Sequence, residues 1–90
     1  METYSVFVPS SIKTKYELFE LYTSTIYLGY SGISNWDAFE EILLDRLEDS
    51  DITISVRDEL PSNLPLMDQE IYEQVKQRAF AEFPDKISFQ

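Results

Sequence analysis

Asp51-Ile52-Thr53-Ile54-Ser55-Val56-Arg57 decides how this 90-residue chain folds. Ile52, Ile54 and Val56 alternate with Thr53 and Ser55, the two-residue period of a strand that buries one face. On both sides the period changes. Downstream, Asp58 to Leu66 holds Pro61 and Pro65 and reads as a loop. Asp68 is expected to cap a helix carrying Ile71, Val75, Ala79 and Phe83 at every fourth place; Pro84 ends it, and Lys86 to Phe89 makes a short last strand. Upstream, Ser34-Asn35-Trp36-Asp37 is a capping pattern that opens a helix running to about Glu48. Earlier still, Thr3 to Val8 reads as a strand closed by Pro9. Thr14 and Glu17 then fit a capping box ahead of Leu18, Leu21, Tyr22 and Ile26 at helical spacing. Thr23 to Thr25 weaken the end of that helix. The order is β-α-α-β-α-β. Strands separated by helices favour a parallel sheet with the helices packed on it, because parallel neighbours need crossover connections. Residues 1–90 read as one domain.

Composition narrows the function. The chain is 43% apolar with only two Gly and four Pro, so it folds rather than staying disordered. Seventeen acids against seven bases give a net charge of −10. That sign argues strongly against nucleic acid or an anionic bilayer as direct partner and favours a basic protein. The same charge disfavours self-association, so a monomer is expected in the unbound state. There is no Cys and no His. Thiolate nucleophiles, Ser-His and Cys-His catalysis and Cys- or His-bound zinc are excluded, and no cofactor is implied. No helix-length apolar run and no basic secretory start are visible, so a reducing cytoplasm is the expected setting.

Charge concentrates on the second helix. Between Ser34 and Asp51 stand seven acids and one base, Arg46, a net −6 of the total −10. At 100° per residue, Trp36, Phe39, Ile42, Leu43 and Leu47 cover one apolar arc. Asp37, Glu41, Asp45 and Glu48 fall together within about 80° on another, with Arg46 on the far side. Asp37–Glu41 and Glu41–Asp45 are like-charge pairs at i,i+4, each destabilising by roughly 0.2–0.5 kcal/mol. Asp45 and Glu48 also oppose the negative end of the helix dipole. This face is either a plain solvated surface or an anionic docking stripe. The preceding stretch, Tyr27 to Gly32, contains both glycines, Gly29 and Gly32, beside Tyr27 and Tyr30. Aromatic side chains beside focused charge suit a protein-binding surface.

Asn35-Trp36-Asp37-Ala38-Phe39-Glu40-Glu41-Ile42-Leu43, preceded by Tyr27-Leu28-Gly29-Tyr30-Ser31-Gly32, resembles the barstar family of ribonuclease inhibitors. The element order and length agree across the chain; the motif covers about twenty residues. The resemblance implies a three-stranded parallel sheet packed with three main helices. It implies that the loop and second helix plug the active site of a small, cationic ribonuclease. On it, Asp37 and Glu41 match the family's two key helix acids. Tyr30, or else Tyr27, matches the aromatic over the nuclease, and Gly32 the loop glycine. Asn35 and Trp36 match the helix-start pair, read as capping and core. The chain departs from the family at Glu41, one methylene longer than the familiar aspartate, and at Glu40, where Trp is familiar. On the third helix Arg78, with Glu82 one turn on, stands near the family's further contact acid.

The expected partner-binding set is therefore Tyr27, Gly29, Tyr30, Gly32, Asn35, Asp37, Glu40, Glu41 and Asp45. Asp37 has a structural alternative as the acid of a capping box with Ser34. Tyr27 and Tyr30 serve either as a core lid or as interface anchors. Trp36 and Phe39 are expected in the core, with Tyr4, Phe7, Phe19, Phe80 and Phe83. The expected function is an immunity protein that blocks a ribonuclease toxin; the alternative is an acidic adaptor or nucleic-acid mimic bound to another basic protein. Enzyme activity is not expected, since a helix face is a poor place to bury and tune carboxylates. Asp49-Ser50-Asp51 opens like a calcium loop, but the glycine is missing and the twelfth place is Leu60, so no metal site is expected.

Overall fold

A computed structural model describes residues 2–26, 28 and 33–90. Strands β1 (Glu2–Val8), β2 (Ile52–Asp58) and β3 (Ile87–Phe89) form one parallel sheet in the order β1-β2-β3. Helices α1 (Lys15–Ile26) and α2 (Trp36–Asp49) lie between β1 and β2, and α3 (Leu66–Glu82) between β2 and β3. The chain is thus α/β with the β-α-α-β-α-β order. β1 runs alongside β2 from Glu2–Ile52 to Val8–Asp58, and β3 pairs Ile87 with Ile54 and Phe89 with Val56. Among the described residues no helix is long and apolar enough to cross a membrane.

The alternation at β2 sets which face is covered. Ile52, Ile54 and Val56 are buried with Val6, Val8 and Ile87 under a helical layer. The opposite face presents Thr3, Ser5, Phe7, Arg57 and Ser88 to solvent. Parallel sheets are usually covered on both sides; here short hydroxyl side chains make the second face compatible with water. Phe7 lies on that open face, about half-exposed, with the Arg57 guanidinium 5.8 Å from its ring centre. The expectation that Phe7 fills the core is therefore wrong, because strand parity turns it away from Val6 and Val8. Phe80 is also half-exposed. Ala79 takes the fully buried place, and a neighbour 100° further round the helix points outward. Phe19 is core, while Tyr4 and Phe83 pack against it.

The helix starts show how local the folding signals are. The Thr14 hydroxyl accepts from the Glu17 N–H at 3.3 Å, as its spacing predicts. α1 reaches Ile26 despite its threonines, with Tyr22 and Ile26 buried in the core and the Thr23 hydroxyl donating to the Phe19 carbonyl at 2.8 Å. α2 is capped by Asn35, whose Oδ1 accepts from the Ala38 N–H at 2.8 Å. Ser34 is not the cap, so Asp37 has no capping-box duty; it sits in the first turn, where its charge suits the dipole. α3 starts at Leu66 behind Pro65, two residues before the expected cap, Asp68. Asp68 instead accepts from Trp36 Nε1 at 3.0 Å. α3 closes where the Phe83 N–H reaches the Ala79 carbonyl, directly before Pro84.

Buried aromatic rings tie the helices together. Phe19 of α1 lies 4.9 Å from Trp36 and 5.0 Å from Phe39 of α2, centre to centre. Trp36 stacks on Tyr72 of α3 at 6.1 Å. The hydroxyls of Tyr22 and Tyr72 meet at 2.8 Å in the interior. Each such ring pair adds about 0.5–1.5 kcal/mol beyond burial. The network packs α2 against α1 and α3, with its opposite face outward.

Candidate functional site, an acidic helix face

α2 packs Trp36, Phe39, Leu43 and Leu47 into the core, which fixes its rotation. Asp37, Glu41, Asp45 and Glu48 are consequently exposed together. Each i,i+4 step advances about 6 Å along the helix axis. Among the described residues no lysine or arginine pairs with any of these four carboxylates.

The cations have other employment. Arg46 Nε donates to the Ile26 carbonyl at 3.1 Å, and Nη2 approaches the Tyr4 hydroxyl at 3.5 Å. It ties α2 to α1 and β1 from the side away from the acids, as the helical wheel places it. Lys86 Nζ donates to the carbonyls of Leu47 at 2.6 Å and Ser50 at 2.9 Å. This satisfies open carbonyls at the end of α2 and puts a positive charge at the negative end of its dipole. It is one reason an acid-rich helix end is tolerated. Arg57 lies over Phe7. Lys76 is bound by Asp58 and Glu73.

Glu40 departs from its expected role. It stands beside the apolar arc, on the side facing α3. Arg78 Nη1 holds its Oε1 at 2.8 Å, and Arg78 Nε reaches Glu82 Oε2 at 3.7 Å. With its side chain 26% exposed, Glu40 is a partly covered member of an α2–α3 ion pair and not a free carboxylate of the row. A groove of about 320 Å³ runs beside this pair, lined by Trp36, Asp37, Glu40, Ile71, Gln74, Val75 and Arg78. Sequence reasoning singled out Ile71 and Arg78 on the third helix but did not join them and Gln74 to Asp37 and Glu40 as walls of one groove. The available signal was the charge complement of Glu40 and Arg78, which only helix packing makes adjacent.

Asn35 serves as the cap of α2, which orients Asp37 rather than adding a carboxylate. Tyr27, Gly29, Tyr30 and Gly32 lie outside the described residues. Next to them in the chain, Ile26 and Leu28 are buried and Ile33 packs against the core. Trp36 and Phe39 are buried, as expected.

No protein-family model, curated protein or solved structure matches the chain.

Chemically, the row is suited to charge recognition. Among the described residues no three acidic side chains converge to hold a metal ion. Among the described residues the groups pushed furthest from their ordinary pKa are elsewhere: burial raises the hydroxyls of Tyr22 and Tyr72 well above the usual phenol range. Both lie inside, away from the row, and both act as structural links.

Proposed function

We propose that this chain is a stoichiometric protein inhibitor, an immunity protein that binds a basic ribonuclease in the cytoplasm and covers its active site with α2 and the preceding Tyr/Gly segment. The observation that carries this reading is the row Asp37, Glu41, Asp45 and Glu48, exposed on a core-packed helix, while the nearby cations Arg46, Arg78 and Lys86 are tied to other groups. The likeness of residues 27–43 to the barstar pattern supports the same assignment.

A ribonuclease must gather cations to hold the phosphates of its substrate. A regular series of carboxylates imitates that ligand and occupies those cations. Opposite charge raises the encounter rate from about 10⁵–10⁶ to as much as 10⁸–10⁹ M⁻¹s⁻¹ at low salt. Once water is excluded, losing one member of a buried charge pair costs about 2 kcal/mol or more, some thirtyfold in affinity.

The test separates contact from net charge. Asp37→Asn with Glu41→Gln changes the charge from −10 to −8, and so does Glu20→Gln with Asp85→Asn on other faces. The immobilised chain is used to capture a partner from lysate of its source cell, and that partner is assayed for RNA hydrolysis. The expected partner is basic, cleaves RNA, and is silenced by an equimolar amount of the chain. The first double variant is expected to lose about a hundredfold or more in affinity, the second only severalfold. Equal losses overturn the stripe. A basic partner without ribonuclease activity overturns the inhibitor reading in favour of an acidic adaptor.

A further inference from the structure

Six large apolar or aromatic side chains are conspicuously exposed among the described residues, and the three most exposed fall within eight positions. Leu60 is 66% exposed, Leu66 70% and Met67 72%. Leu60 stands early in the β2–α3 loop and Leu66 and Met67 in the first turn of α3; Leu60 and Leu66 line one groove, on a flank of α3 separate from Ile71, Gln74 and Arg78, which face α2, and Met67 follows on the neighbouring side of the helix. We propose that this patch is a second docking surface, taking an apolar side chain of a partner protein's segment that carries Lys or Arg on both sides of it.

Backbone geometry supports a display role. Leu60 has φ of 60°, the left-handed region where a Cβ is unfavourable by roughly 1–2 kcal/mol. Its N–H is held by Asp58 Oδ1 at 2.8 Å. The loop beyond is pinned rather than loose. Leu64 N–H reaches the Pro61 carbonyl at 3.1 Å, and Gln69 Nε2 donates to the Leu64 carbonyl at 2.7 Å. A glycine at 60 would take this turn without strain. The chain instead holds a leucine there and points it at water.

A groove of about 250 Å³ lies beside it, lined by Leu60, Pro61, Leu66 and Tyr72 together with the polar Gln69, Glu70, Glu73 and Lys76. Lys76 is the cation at this groove, and it is bound by Asp58 and Glu73. The lining is mostly apolar, and with Lys76 held by Asp58 and Glu73 the Glu70 carboxylate leaves the groove negative. That combination selects an apolar anchor flanked by positive charge. A second copy of this chain is a poor occupant, since at −10 it repels itself and would bring Glu70 and Glu73 against their own counterparts.

The test is an amide chemical-shift titration of the intact chain with three peptides: acetyl-Lys-Arg-Leu-Arg-Lys-amide, the same peptide with Gly for Leu, and one with Glu for every Lys and Arg. The leucine peptide is expected to shift Leu66, Met67, Gln69 and Glu70 saturably. The glycine peptide should bind about tenfold more weakly, as expected for losing a partly buried leucine. The glutamate peptide should leave these amides unmoved, and Leu66→Ser, a change at an exposed position, should abolish the response. Shifts confined to residues 37–48, equal binding of the leucine and glycine peptides, no shift at all, or concentration-dependent shifts without peptide would each overturn the proposal. The last would identify a second copy as the occupant.

Discussion

Replacing Tyr22, Tyr72 or both with Phe tests how the helical layer is held beneath the acidic face. The hydroxyls come from α1 and α3, meet at 2.8 Å, and belong to side chains 0% and 2% exposed. Either single substitution leaves the other hydroxyl buried without that partner, at a cost of about 1–3 kcal/mol. The double substitution removes donor and acceptor together and leaves two rings of nearly the same shape, which is close to neutral. The double variant is therefore expected to be more stable than the sum of the singles by about 2–6 kcal/mol, and than either single by about 1–3 kcal/mol, well above the roughly 0.3–0.5 kcal/mol scatter of independent sites. Urea unfolding followed by the fluorescence of Trp36, the single tryptophan, reads the cycle directly, because Trp36 stacks on Tyr72. pH adds a second readout. Burial raises both folded-state hydroxyls above the usual phenol pKa. The unfolded chain releases these protons near pH 10 while the folded chain keeps them. Their contribution is thus intact below about pH 10 and is lost as pH rises beyond it, by about 1.4 kcal/mol per pH unit for each tyrosine. The double variant should flatten that alkaline slope. Additive single costs, or an unchanged slope in the double variant, would refute the reasoning.

Asn35→Ala should cost about 1 kcal/mol, whereas Ser34→Ala should stay within about 0.5 kcal/mol; thermal melts that reverse this order would return the cap to Ser34. Leu60→Gly relieves a left-handed leucine and should raise stability in urea by up to about 1 kcal/mol, the strain relieved outweighing the entropy of the added glycine. Lys76→Met strands the Asp58 carboxylate, 2% exposed, and should cost about 3 kcal/mol or more, with partial recovery when Asp58→Asn is added. No recovery in that double variant would show that the ion pair is not what couples the two sites.

The short-range features of this protein are legible in the chain. Alternation at Ile52, Ile54 and Val56 identifies the central strand, and Thr14 with Glu17 identifies the start of α1. The spacing of Trp36, Phe39, Leu43 and Leu47 fixes which side of α2 faces inward, and therefore that Asp37, Glu41 and Asp45 face out. These readings succeed because period and capping depend on neighbours within four residues. Even Arg46 follows from the wheel, being set apart from the acids by its angle alone.

Tertiary structure decided which charges remain free and which side chains find distant partners. Glu40 and Arg78 are 38 residues apart, Trp36 and Asp68 are 32 apart, and Lys86 caps a helix that ends far upstream. No local pattern encodes these meetings. They arise when α3 crosses back over the sheet and brings its flank against α2. The same packing leaves one sheet face open and turns Phe7 and Phe80 to solvent, where hydrophobicity alone would have buried them. Period and capping are properties of a segment; neutralisation and burial are properties of what the rest of the chain places beside it.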